Sequence, residues 1–108
     1  MGDGFLATFD GPARAIHCAR AISDAVRQRG VPVRIGVHTG EVELADHDVR
    51  GIAVHIASRI ADLGAANDII VSRTVKDLVA GSGLVFEDFG THCLKGIPEA
   101  WQLFRVAA

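Results

Sequence analysis

The sequence is poor in cysteine, in net positive charge and in long apolar runs, and each shortage removes a class of function. Only two cysteines occur in 108 residues, Cys18 and Cys93, in unrelated segments and in no Cys-x-x-Cys arrangement. They build neither a disulfide framework nor a thiolate metal site, and they read as small buried hydrophobes of a reducing cytoplasm. Lys and Arg number 11 against 13 Asp and Glu, a net charge of −2, and no basic run is long enough to track a phosphate backbone. Nucleic acid is therefore not an expected partner. No stretch approaches the ~20 apolar residues of a membrane helix, and the N-terminus lacks the basic-then-apolar pattern of a signal peptide. His17, His47 and His92 share no zinc-binding spacing, and no Ser-His-Asp or Cys-His arrangement can be read, which argues against hydrolase and zinc chemistry.

What remains is the composition of one folded domain over residues 1–108, 49% hydrophobic and 22% charged. A chain of this size buries roughly 65% of its unfolded surface and folds without a metal or a disulfide. Residues 5–9 read as a short strand ending at Asp10-Gly11-Pro12, whose proline suits the first turn of a helix. Ile16, Ala19, Ile22 and Val26 recur at helical spacing and predict a helix over 13–29, stopped by Gly30. Val33, Ile35 and Val37 alternate as a strand, and the run 41–44 reads as its antiparallel hairpin partner. The polar stretch 45–51 reads as an exposed loop or arm.

A second helix is predicted over 52–63, with Ile52, Ile56, Ile60 and Leu63 on one stripe and Gly64 at its end. Residues 68–71 form a short apolar strand, and Ser72 suits the N-cap of a third helix carrying Val75, Leu78 and Val79. Three more runs, 84–89, 91–94 and 101–106, read as strands. The order implies an α/β sandwich with its helices on one face of the sheet.

Few residues offer chemistry. His55 and Arg59 stand four apart on the second helix, so they lie nearly one above the other at the border of its apolar stripe, with Asp48 upstream. An arginine there can neutralise phosphate, and a histidine can donate to a phosphate or sugar oxygen. On spacing alone the same pattern is an ordinary solvated helix edge. Asp3 between two glycines suits a magnesium ion, though from one sequence Gly-Asp-Gly is more often a plain turn. Lys95 can reach a phosphate or simply face solvent.

Four stretches carry a resemblance: Gly2-Asp3-Gly4-Phe5-Leu6-Ala7-Thr8-Phe9, Arg34-Ile35-Gly36-Val37-His38-Thr39-Gly40-Glu41-Val42, Gly51-Ile52-Ala53-Val54-His55-Ile56-Ala57-Ser58-Arg59-Ile60 and Leu94-Lys95-Gly96. In this order and spacing they resemble the catalytic domain of class III nucleotidyl cyclases, the adenylate and guanylate cyclases, of bacterial type. The resemblance implies an α+β fold, the ferredoxin-like α/β sandwich of that family. It also implies attack of a ribose 3′-hydroxyl on the α-phosphate of its own nucleoside triphosphate, giving a 3′,5′-cyclic monophosphate and pyrophosphate. Two divalent ions, Mg2+ or Mn2+, serve that chemistry, and Asp3 matches one of the metal aspartates. Asp48 matches the purine-reading position and favours ATP over GTP. Arg59 matches the transition-state arginine and Lys95 the lysine on the terminal phosphates. His55 stands where the family carries a ribose-orienting asparagine, a departure that changes reach and protonation.

The family's sites form between two catalytic domains, which implies a head-to-tail homodimer, with the arm from Leu44 to Gly51 the candidate for embracing the partner. The family's first strand, first metal aspartate and substrate lysine belong upstream of Asp3. This sequence is thus expected to be an N-terminally truncated domain, lacking its first strand and helices, cytoplasmic and inactive or very weak alone. A non-catalytic cyclase-like module for dimerisation or regulation is the alternative, and an unrelated ferredoxin-like ligand-binding domain the third reading.

Overall fold

The structure is a computed structural model in which residues 11–40, 43–45 and 48–107 are described; the strand expected over 5–9 lies outside them, as does Asp3. Helix α1 (Pro12–Arg27) begins with proline at its first position, where the missing N–H costs no hydrogen bond. It buries Ile16, Ala19 and Ser23, while Ile22 and Val26 are half-buried. The chain leaves the helix through bonds from Gly30 N to Arg27 O (2.9 Å) and Val31 N to Val26 O (3.1 Å), a Schellman closure with Gly30 as the expected stop. The Arg20 guanidinium donates to the Ala107 carbonyl and ties α1 to the C-terminal strand.

Strands β1 (Ile35–Val37), β4 (Ile69–Ser72), β6 (Ala100–Val106) and β5 (Phe86–Cys93) form one sheet in that spatial order. β1 and β4 run parallel, and the β4–β6 and β6–β5 pairs are antiparallel. The two runs expected as strands over 84–89 and 91–94 are one strand. Its register shifts between Asp88 and Gly90, where the Asp88 carboxylate accepts from Gly90 N at 2.8 Å, so the interruption is a local irregularity rather than a chain reversal.

Helices lie on both faces of this sheet, not on one as the sequence order suggested. Ile69 and Val71 of β4 and Phe104 and Val106 of β6 pack with Ile16 and Ala19 of α1 and with Val75 and Val79 around α3 (Arg73–Leu78). The alternate residues Ile70 and Leu103 pack with Ile56 and Ile60 of α2 (Ile52–Leu63) on the other side. All four residues of β4 are buried, the signature of a strand covered on both faces. Along α2 the buried stripe is Ala53, Ile56 and Ile60, whereas Ile52 (61%) and Leu63 (38%) of the expected stripe are exposed.

The hairpin also differs from expectation. β2 (Glu43–Ala45) pairs antiparallel with β3 (Asp48–Arg50), not with β1, and the stretch read as an irregular arm thus contains a strand. Only two residues separate Ala45 from Asp48 in the sequence, the spacing that tight hairpins favour, while the inner edge of β1 is taken by β4.

Candidate functional site

Helix α2 is set against the sheet by the absence of a side chain. A Cβ at Gly36 of β1 would lie 2.3 Å from the Ala57 carbonyl oxygen and 2.7 Å from the Ala61 nitrogen, so only glycine lets the backbones approach this closely. The position of α2 then fixes where His55 and Arg59 stand. Both are half-buried, at the border between the Ile56/Ile60 stripe and solvent.

Lys95 is brought to the same helix by a turn. Ile97 N bonds to Leu94 O at 2.9 Å and Gly96 has φ +81°, so Leu94-Lys95-Gly96-Ile97 is a type II β-turn with glycine at its third position. Leu94, 3% exposed, is clamped in the cluster of Ile56, Ile60, Ile70 and Leu103, leaving Lys95 at the exposed apex. A Cβ on Gly96 would be 3.3 Å from His55 Nε2, which shows the imidazole resting on the backbone of this turn. Arg59 and Lys95 line one cleft of about 190 Å³, together with Asp62, Leu63, Cys93 and Leu94. A larger depression of about 290 Å³, at Pro32, Arg34 and residues 64–66, carries a single charged side chain among the described residues.

Within the cleft, Arg59 is incompletely satisfied. Its Nη1 lies 3.6 Å from Asp62 Oδ2, an ion pair beyond hydrogen-bond length, and its buried Nε has no acceptor among the described residues. A guanidinium whose Nη1 is only loosely held, lining the same cleft as an ammonium, is suited to an anion with several oxygens, which can take two parallel hydrogen bonds from the Nη groups.

His55, Arg59 and Lys95 are thus brought together. Asp48 opens β3, which passes through Gly51 directly into α2, so its backbone stands at the N-terminal end of the helix. Arg59 lies seven residues into that helix, about 10 Å along its axis. No group of three or more His, Cys, Asp or Glu side chains among the described residues is placed to hold a metal ion, and Asp3 lies outside those residues.

Three further side chains were not assigned to a site by the sequence. Asp62 faces the cleft one turn beyond Arg59, a spacing that could have signalled it. Cys93 is exposed and lines the cleft, and Cys18 is half-buried; neither is the fully buried hydrophobe expected, because strand β5 lies at the edge of the sheet and leaves Cys93 uncovered. His38, just past β1, places Nδ1 2.8 Å from Ser72 Oγ and meets the Trp101 ring edge-on at 5.3 Å. Burial lowers its pKa from the ordinary value of 6.5. Ser72 Oγ also accepts from Val75 N at 3.3 Å as the predicted N-cap of α3.

Comparison with known proteins finds a match over residues 13–106 to the model of the adenylate and guanylate cyclase catalytic domain family. A solved adenylate/guanylate cyclase/hydrolase from Silicibacter pomeroyi is 31% identical, with a TM-score of 0.88 over 100% of this chain and 68% of that one. The guanylate cyclase domain of a Catenaria anguillulae protein, solved in complex with GTP, shares the fold at 24% identity. Its TM-score is 0.78, over 99% of this chain and 64% of that domain. An uncharacterized protein of Mycobacterium tuberculosis is 35% identical over 102 residues, or 90% of this chain. The chain spans 35% of that relative's length.

Proposed function

The chain belongs to the adenylate and guanylate cyclase catalytic domain family, and from that premise we propose that it binds a nucleoside triphosphate, ATP over GTP, for conversion to 3′,5′-cyclic AMP and pyrophosphate. The observation that carries this reading is the convergence of Arg59 and Lys95 on one cleft, from a helix and a turn far apart in sequence. Lys95 at the apex of its turn holds the terminal phosphates. Arg59 lies against the α-phosphate, where its preorganised charge offsets negative charge growing as the 3′-oxygen adds and pyrophosphate departs. His55, braced on the Gly96 backbone, orients the ribose as a hydrogen-bond donor. Asp48, as an acceptor, receives a hydrogen bond donated by the adenine amino group and so disfavours guanine.

Mg2+ or Mn2+, with Asp3 as a ligand, and a second copy of the chain arranged head to tail complete the proposal. Calorimetric titration of this chain with a non-cyclisable ATP analogue tests it. Arg59→Ala and Lys95→Ala should each weaken binding about 10-fold or more, the worth of a charge-assisted hydrogen bond, with the melting temperature unchanged. Unaltered affinity in both variants refutes the assignment.

A further inference from the structure

We propose that Asp62 is a built-in competitor of substrate phosphate, its carboxylate holding the Arg59 guanidinium until a polyphosphate displaces it. The inference rests on the reading that Arg59 and Lys95 bind phosphate. Among the described residues Asp62 is the one acidic side chain lining a cleft that otherwise presents two cations. Its contact with Arg59 is 3.6 Å long, with the two side chains 36% and 62% exposed, and Asp62 has no other ion-pair partner among the described residues. The pair is therefore easily exchanged. It is also geometrically incomplete: the carboxylate reaches Nη1 only, while the buried Nε is left without an acceptor.

A phosphate group in the cleft can instead take two parallel hydrogen bonds from the two Nη groups of the guanidinium, which makes the exchange favourable. After the exchange, however, Asp62 cannot leave. Three residues from Arg59 on the same helix, it stays roughly 5 Å from the bound phosphate and repels it, an interaction that in a water-like medium weakens binding about three- to tenfold. Asp62 thus holds affinity for the phosphate chain below what Arg59 and Lys95 would give, which helps the cyclic product, the bearer of the α-phosphate, depart after the reaction.

The test is calorimetric titration of the chain with inorganic tripolyphosphate in metal-free buffer at low and at high salt, with the thermal midpoint recorded for each variant. Asp62→Asn should bind about three- to tenfold more tightly than the parent, and the gain should shrink as salt screens these exposed charges. Asp62→Glu, which keeps the carboxylate, should bind like the parent. An Asp62→Asn affinity equal to or below that of the parent, with Arg59→Ala still weakening binding, overturns the competitor role and leaves the phosphate reading standing. Absence of binding in the parent and in Asp62→Asn alike overturns both.

Discussion

Replacing Gly36 by alanine probes the link between sheet packing and the site. The added methyl would sit 2.3 Å from Ala57 O and 2.7 Å from Ala61 N, both backbone atoms of α2 that no rotamer change can move aside. To restore ordinary contact the helix must shift outward by about 1 Å, loosening Ile56 and Ile60 against Ile70, Leu94 and Leu103. Overpacking of this kind costs about 1–3 kcal/mol. For a domain of this size that lowers the melting temperature by roughly 5–20 °C. The shift also carries His55 and Arg59 away from the Lys95 turn, which is held to the sheet by Leu94. Catalytic geometries displaced by about 1 Å lose on the order of 100-fold in rate, and tripolyphosphate affinity should fall several-fold at a temperature where the variant is fully folded. Gly30→Ala is the control: its φ of +74° strains an alanine by about 1 kcal/mol, but none of the described residues lies within 4 Å of the added methyl. It should lower the melting temperature modestly and leave affinity alone. The reasoning is refuted if Gly36→Ala melts and binds like the parent, or if both variants lose affinity equally.

Two further outcomes follow from the His38–Ser72 pair. Ser72→Ala removes the acceptor of Val75 N and the partner of His38 Nδ1 at a fully buried position, and should cost about 2 kcal/mol in chemical denaturation. Since burial holds His38 below 6.5, the unfolded chain takes up the proton more readily than the folded one. The stability associated with neutral His38 is whole above pH 6.5 and is lost as pH falls through the folded-state value. His38→Gln should flatten that part of the stability–pH curve relative to the parent, and curves of identical slope count against it.

The sequence disclosed most where structure is local. Helix α2 spans the predicted 52–63, because a 3.6-residue period and a terminal glycine are written within a dozen residues. Ser72 caps α3 as expected for the same reason, a hydroxyl three residues before the N–H it accepts. The i, i+4 spacing of His55 and Arg59 likewise required no tertiary information to put them side by side. The hairpin partner and the continuity of β5 depended instead on competition among strands for edges, and period-2 patterning says nothing about which edge a strand takes.

The two-sided cover of the sheet was nonetheless encoded, in a form that element order conceals. Ile69-Ile70-Val71 is an unbroken apolar run, as a strand buried on both faces requires, whereas a sheet with helices on one side would alternate. Gly36 marks the face toward α2 by what it lacks, set between Ile35 and Val37, which face α1. The encounter of Lys95 with Arg59 is of another kind. It depends on Leu94 entering the same cluster as Ile56 and Ile60, an event between segments over thirty residues apart that leaves no periodic trace. Spacing could place Arg59 and His55 on a helix edge, but whether that edge faces water or a phosphate depends on the turn that Leu94 anchors. The smallest groups therefore decide the chemistry: one glycine lets α2 approach the sheet, and another lets the lysine turn close beneath His55.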